Sequence, residues 1–527
     1  MRRTPALLSL AVVLAAVGLS AGPSQAAATK PTFTTVKLPG SSGSAEPRAA
    51  VSNKNVHWIT TNATNGHEIV FRSTDGLSWN KVTEPGNQTR PTTDVDTIVM
   101  PNGRVLTSEL DFAGINFITH YSDDQGKTWT QSQFTTLADT DRQWYAWGPP
   151  LPGAELPRVY MLFHNLLSGT LQHNMFVSTS TDGGATFGVP VPVATPPQQD
   201  YLDLQCADSG GPSNIFVNQK TGKVSVVFGT RSSPVGGCAS QPVEINVVAA
   251  NRVWVVSADA ASTGIPGSWT PSLAVDDTAA GKITGMQLAP GAVDDAGNYY
   301  VSYPESLHDY PDYDGAAIKV VHSSDLVHWS APITIAPAGG AGNILPHIVA
   351  GDAGKIDLAW YHGLSGGVWQ SYSGQVLDAL SAAPHVTTVP LSSIQVEKGT
   401  ASKLMGACMQ GQTATLNGFA CGRSTDVNGI AIDPCGRLLV TWPAQAGLGT
   451  DATYASKQVS GPRLHTTVCA DTVSKPVRVP PVKTPVTKPA TGGGNLAATG
   501  ASVGLAALAV GLLGAGVVLR RRRSHLH

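Results

Sequence analysis

Four carboxylates in this chain share a setting. Glu46 precedes the run PRAAVSNKN, Asp94 precedes VDTIVMPNG, Asp141 precedes RQWYAW and Asp426 precedes VNGIAIDPCG, so each stands just before or at an alternating, strand-like stretch. Gathered in one place they could hold a cation, accept hydrogen bonds from sugar hydroxyls, or act as acid and base. Asp208, in CADSGGPS, extends the set with a shifted register. Arg142, Trp144, Tyr145 and Trp147 follow Asp141 directly, and aromatic faces stack on the apolar faces of sugar rings. In the opposite reading each carboxylate accepts backbone or hydroxyl hydrogen bonds from the next element and only fixes the architecture.

A second acidic stretch, SYPESLHDYPDYDG from Ser302 to Gly315, offers Glu305, Asp309, Asp312 and Asp314, oxygen donors of the kind hard cations prefer. A structural calcium at Asp309, Asp312 and Asp314 is the one cofactor the sequence provides for, although the spacing completes no EF-hand loop; a solvated acidic loop is the alternative. The histidines show no paired ligand spacing, His308 included.

The elements that must position these groups repeat. A turn followed by an alternating strand recurs as MPNGRVLTS around Gly103, QKTGKVSVVF around Gly222, DDAGNYYVSY around Gly297, GDAGKIDLAW around Gly354 and DPCGRLLVTW around Gly436. VSNKNVHWIT at Val51 and PGAELPRVYMLFH at Pro152 are looser copies, which makes seven units. Each unit provides the short strands of a propeller blade, and no helical period competes. The expectation is an all-β propeller over 33–470 with seven blades, six being the second choice. In such a fold the first strand of each blade lines a central channel, and ligands bind at its mouth. The four carboxylates belong to units one, two, three and seven, neighbours in a closed ring, whereas units five and six carry Gln287 and Asn343 in the comparable region.

A hairpin signature punctuates the same units: SDDQGKTW (Ser122 to Trp129), STDGGATF (Ser180 to Phe187), STDGLSW (Ser73 to Trp79) and SSDLVHW (Ser323 to Trp329). Ser and Asp oxygens accept from turn amides, Gly supplies positive φ, and the aromatic folds back as a plug, so each copy reads as a stapled hairpin. The motif resembles the Asp box of the BNR-repeat and sialidase families. That resemblance implies a six-bladed fold with the boxes on its rim, and a retaining hydrolase using three arginines, a Tyr nucleophile activated by Glu, and an Asp acid/base. Arg48, Asp94 or Asp96, Glu244, Arg252, Arg423 and Tyr454 stand in the family's order. The sequence departs from the family pattern in three places. EPRAA surrounds Arg48 where the family has Phe/Tyr-Arg-Ile-Pro, Glu244 and Arg252 fall in outer strands of unit four, and no arginine occurs between Arg252 and Arg423.

With 527 residues, net charge -2 and only 13% charged residues, the chain carries no basic patch, which argues against nucleic acid as a partner. Residues 1–28 read as a secretory signal peptide: two arginines, an apolar run from Ala6 to Leu19, then small residues at Ala26 to Ala28. Six cysteines in an exported chain point to disulfides, and sequential pairing is the expectation: Cys206 with Cys238, Cys408 with Cys421, Cys435 with Cys469. Residues 471–495 form a Pro, Lys, Thr and Gly linker that cannot bury a core. Residues 496–527 begin with Leu496-Ala497-Ala498-Thr499-Gly500, followed by an apolar run over 501–519 and Arg520 to Arg523. This end resembles a sortase sorting signal of the LPxTG type, in the LAxTG variant of high-GC Gram-positive bacteria. The resemblance implies cleavage between Thr499 and Gly500, with sortase and peptidoglycan as partners and a single membrane pass before sorting. The combined expectation is a monomeric, wall-displayed propeller that binds glycan or another extracellular component at its mouth. The alternatives are a sialidase-like exo-acting glycoside hydrolase and a structural wall protein.

Overall fold

Strands such as HWITTN, RVYMLFHN and LLVTWPA are buried at every position, which requires a neighbour on both faces of their sheet. The computed structural model supplies those neighbours by setting seven small antiparallel sheets around one axis. It describes residues 30–466, leaving out 63–67, 86–91, 93, 112–115, 135–136, 138–139, 166–172, 206–211, 234–249, 285–288, 308–314, 399–428 and 445–451. Blades one to six follow chain order over 45–81, 95–131, 140–192, 214–276, 291–336 and 343–390. Blade seven joins both ends of the fold. Gly429–Ile432, Leu438–Ala444 and Ala452–Ser460 are its inner three strands, and Thr32–Lys37 pairs with the third as the outermost. The expected seven blades are present; the closure by an N-terminal strand is a feature the unit repeat did not disclose.

Each repeated turn joins the first strand of a blade to the second. Gly436 shows why the turn wants glycine: its φ is +72°, and a Cβ there would collide with the His465 amide nitrogen. The four stapled hairpins join third to fourth strands on the same face of the ring. In the first, Ser73 Oγ accepts the Gly76 amide at 2.8 Å, and Asp75 Oδ1 accepts the Leu77 and Ser78 amides at 2.8 and 2.7 Å. Ser122, Ser180 and Ser323 repeat the arrangement. Trp79 folds back onto the Gly76 carbonyl. Trp129 and Trp329 instead donate to the preceding blade, at Thr83 O (2.8 Å) and Ser272 Oγ (2.9 Å), so these two boxes brace neighbours together. Blade four has a related hairpin with a longer turn, in which buried Trp269 donates to Thr263 O.

The chain parts into two units, Met1–Asp471 and Thr472–His527, and the whole of the second lies outside the described residues. So do the signal peptide, Thr499 and Gly500, and the apolar run 501–519. Among the described residues no helix is long and apolar enough to cross a membrane. Cys435, in the first turn of blade seven, is disulfide-bonded; Cys206, Cys238, Cys408, Cys421 and Cys469 lie outside the described residues.

Candidate functional site

Inner turns and stapled hairpins occupy one face of the ring, so the mouth where the inner strands begin is the other. In six blades the fourth residue of the second strand marks a common height, as does the fifth in blade three, whose strand starts one residue sooner. Facing that height across the ladder are Arg48, Asp96, Trp144, Asn214, His347 and Gly429. In blade five it is Pro290, whose carbonyl accepts the Ser302 amide at 2.9 Å. Four members of this tier (Arg48, Asn214, Pro290 and His347) line a channel cavity of about 100 Å³ floored by Ile348 and Ile430.

Among the described residues, three inner strands reach the tier through the same irregularity. Between Ala45 and Arg48, Asp141 and Trp144, and Ile344 and His347, one extra residue is inserted against the partner strand. Glu46 (φ +49°), Arg142 (φ +56°) and Leu345 (φ +54°) take the left-handed conformation there. A bulge of this kind re-aims the side chains that follow it, and a non-glycine residue held at positive φ costs on the order of 1 kcal/mol. Three such residues at one height of the mouth mark it as the place where the ring spends stability on geometry.

The tier's charge is one ion pair. Arg48 Nε donates to Asp96 Oδ1 at 2.9 Å, and Asp96 is only 2% exposed. Oδ1 also accepts the Thr97 amide (2.8 Å) and Oδ2 the Tyr145 amide of blade three (2.6 Å). Burial raises the Asp96 pKa, outweighing the Arg48 charge and these amides. The Arg48 guanidinium lies 4.5 Å over the Trp144 ring. Trp144 is itself 2% exposed and donates to Pro212 O at 2.8 Å, so a molecule entering the channel meets Arg48 before the indole. His347 stays neutral, its pKa driven far down by burial and then by Arg48. Asn214 is engaged with blade five, donating to Gly291 O at 2.7 Å and accepting the Gly291 amide at 2.9 Å.

One step nearer the mouth stand Asp94 and Asp141, at equivalent heights of adjacent blades. The Asp94 carbonyl accepts the Leu110 amide and Gln143 Nε2, both at 3.0 Å. Asp141 begins a chain of polar contacts that the sequence did not reveal. Its Oδ2 lies 3.8 Å from His164 Nε2, and His164 Nδ1 lies 3.1 Å from His173 Nε2. Burial would push the Asp141 carboxyl up, but His164 and Arg142 hold it below the usual range. The His173 pKa is lowered to about 3, by burial first and then by the His164 charge. A half-buried carboxylate held ionised beside two imidazoles is a fixed acceptor, for a hydroxyl hydrogen bond or, as a base, for a proton.

The structure thus brings Arg48, Glu46, Asp94, Asp96, Asp141, Arg142 and Trp144 to the mouth and upper channel. Tyr145 turns into the interface between blades two and three, where its hydroxyl meets Thr119 Oγ1 at 2.6 Å. Tyr454 lies in the third strand of blade seven, stacked on Trp442 at 5.0 Å. Arg252 opens the third strand of blade four, paired with Asp203 (3.0 Å) and Asp276 (3.2 Å). Asp208, Glu244, Gln287, Arg423, Asp426 and the loop with Asp309, Asp312 and Asp314 lie outside the described residues.

No protein-family model and no curated protein matches the chain. Solved structures do. The BP39L lectin from Burkholderia pseudomallei aligns with 12% identity over 80% of this chain and 98% of its own, at a TM-score of 0.46. The polysaccharide lyase Uly1 aligns with 9% identity over 83% and 100%, at 0.45. An α-L-arabinanase from Penicillium chrysogenum aligns with 11% identity over 83% and 98%, at 0.41. The strand order carries the fold assignment, and nothing about a ligand follows from likenesses this distant.

Proposed function

We propose that this chain is an exported propeller, displayed on the wall of a Gram-positive cell, that binds a glycan or a similar extracellular polymer at its channel mouth. The observation that supports the reading is Arg48. Asp96 fixes its Nε and Trp144 its face, which leaves the other guanidinium N–H groups on the cavity wall beside neutral His347. A guanidinium held in one orientation offers directed donors to hydroxyl or carboxylate oxygens at little further entropic cost. The signal-like residues 1–28, the linker 471–495 and the sorting-signal-like residues 496–527 support export and attachment through sortase to peptidoglycan. The six cysteines suit that oxidising destination.

A glycoside hydrolase is the second reading, favoured by the Asp141–His164–His173 chain at the same mouth. A glycan array probed with the protein and with an Arg48→Met variant, run beside a panel of fluorogenic glycosides, separates the two. Binding lost with Arg48 and no turnover supports the binding module. Turnover that Asp141→Asn abolishes supports the hydrolase, and neither signal removes both.

A further inference from the structure

Arg158 opens the second strand of blade three on the face of the ring away from the mouth, and it is 6% exposed. Its Nε and Nη1 each expose under 1 Å² and have no acceptor among the described residues. The hydroxyl of Tyr160, two positions on and therefore on the same face of the strand, is equally buried and equally without a partner. The two groups are neighbours: burial raises the Tyr160 pKa while the Arg158 charge and its N–H groups pull it the other way, although the guanidinium and the hydroxyl do not meet in hydrogen-bond geometry.

The position opposite Arg158 on the ladder is Gly148, which brings no side chain. It cannot be an acid, because a Cβ there would stand 2.9 Å from Val217 Cγ1 of blade four and 3.4 Å from the Tyr160 ring. Blade four therefore seals this corner with a valine. A buried guanidinium without a counter-charge is among the costliest arrangements a fold can hold, and native proteins pair such groups. A water molecule would answer the N–H groups and leave the charge uncompensated.

We propose that Arg158 and Tyr160 form a structural site for one small monovalent anion, a halide by size, enclosed between blades three and four. The donor set is guanidinium N–H and phenol O–H, which selects an acceptor carrying negative charge. The near-zero exposure of Nε, Nη1 and the phenol hydroxyl excludes a large oxyanion, a sugar acid or a peptide carboxylate. The site is remote from the mouth and independent of what binds there.

Diffraction from crystals grown in bromide tests this directly. An anomalous peak between Arg158 and Tyr160 is expected, and a water or no density at that place overturns the proposal. In solution, chloride or bromide exchanged against gluconate at constant ionic strength should raise the melting temperature by ~3 °C at a hundredfold excess over the dissociation constant. In Arg158→Met the rise should vanish, with melting in gluconate at or above that of the parent, because an apolar side chain of similar length removes the unpaired charge. Tyr160→Phe, which keeps the charge and the ring, should reduce the halide response. A parent protein indifferent to halide, or an Arg158→Met variant that still responds, contradicts the assignment.

Discussion

Replacing Asp96 with Asn changes the side chain's charge and not its size, and the geometry sets the cost. Oδ1 accepts two donors, Arg48 Nε and the Thr97 amide, while Oδ2 accepts the Tyr145 amide. An asparagine has a single acceptor oxygen, so in either orientation its NH2 faces at least one buried N–H. An unpaired buried donor costs about 1–3 kcal/mol. Removing one partner of a buried ion pair costs about 3–5 kcal/mol. Arg48 keeps 17% exposure and burial has already raised the Asp96 pKa, so part of the pair's electrostatic gain is spent on desolvation. The low end, about 3 kcal/mol, is the expected value. At about 2.1 cal/mol/K per residue over 30–466, the unfolding entropy is on the order of 0.9 kcal/mol/K, giving a fall of ~3 °C in melting temperature. Differential scanning calorimetry at pH 7 measures it. An Asp96→Asn protein melting within about 1 °C of the parent would refute the view that this carboxylate holds the channel wall together. Arg48→Met combined with Asp96→Asn should cost less than the sum of the single changes, since the two side chains serve each other.

Other consequences are checked as simply. Asp357 is wholly buried between Ser373 Oγ (2.7 Å) and Gln375 Nε2 (3.2 Å), and burial raises its pKa from 3.8 to about 7. Its proton is thus kept on folding, so its own contribution to stability is greatest below pH ~4, falls by up to about 1.4 kcal/mol per pH unit toward pH 7, and is level above it. In thermal melts from pH 4 to 8, Asp357→Asn should flatten this slope and be the more stable protein at pH 8 by up to about 4 kcal/mol; parallel curves contradict the assignment. Replacing His164 with Leu removes the imidazole beside Asp141, so the Asp141 pKa should rise, as a carboxyl NMR titration would show; a value that stays low places its stabilisation elsewhere. Deleting residues 30–37 takes away the strand that clasps blade seven, including the Thr35 contacts with Ser456 Oγ and Leu391 O. The truncated chain should lose its cooperative melt, and a normal melt would show that the ring closes without the clasp.

Much of the scaffold was legible because the turns are local. Gly103, Gly222, Gly297, Gly354 and Gly436 all sit at positive φ in first-to-second-strand turns, and the serines of the Ser-X-Asp hairpins accept the turn amides as read, although Trp129 and Trp329 reach the preceding blade and Leu326 takes the glycine position of the fourth. What escaped the sequence is what the chain does across large separations. Thr32–Lys37 meets its partner more than four hundred positions away, with no local mark beyond alternation. His164 and His173 meet Asp141 only because three strands run side by side. The bulges hid the tier in another way: one inserted residue shifts the register, so aligning carboxylates by their distance from a turn pairs Glu46 with positions it does not match. A signal was available. Pro47 and Pro346 occupy the same place in two of the three bulges, and a proline inside a strand-like run marks such an irregularity. Asp96 rather than Asp94 faces Arg48 because blade two lacks the bulge and its residues alternate without interruption.

In the proposed function the principal contact of a ligand at the mouth is the Arg48 guanidinium. Titration calorimetry with the tightest glycan from an array, comparing the parent with Arg48→Met at matched folded fraction, tests it most directly. A loss of affinity of tenfold or more, about 1.4 kcal/mol, is predicted. Equal affinity in the two proteins would place the ligand away from the channel.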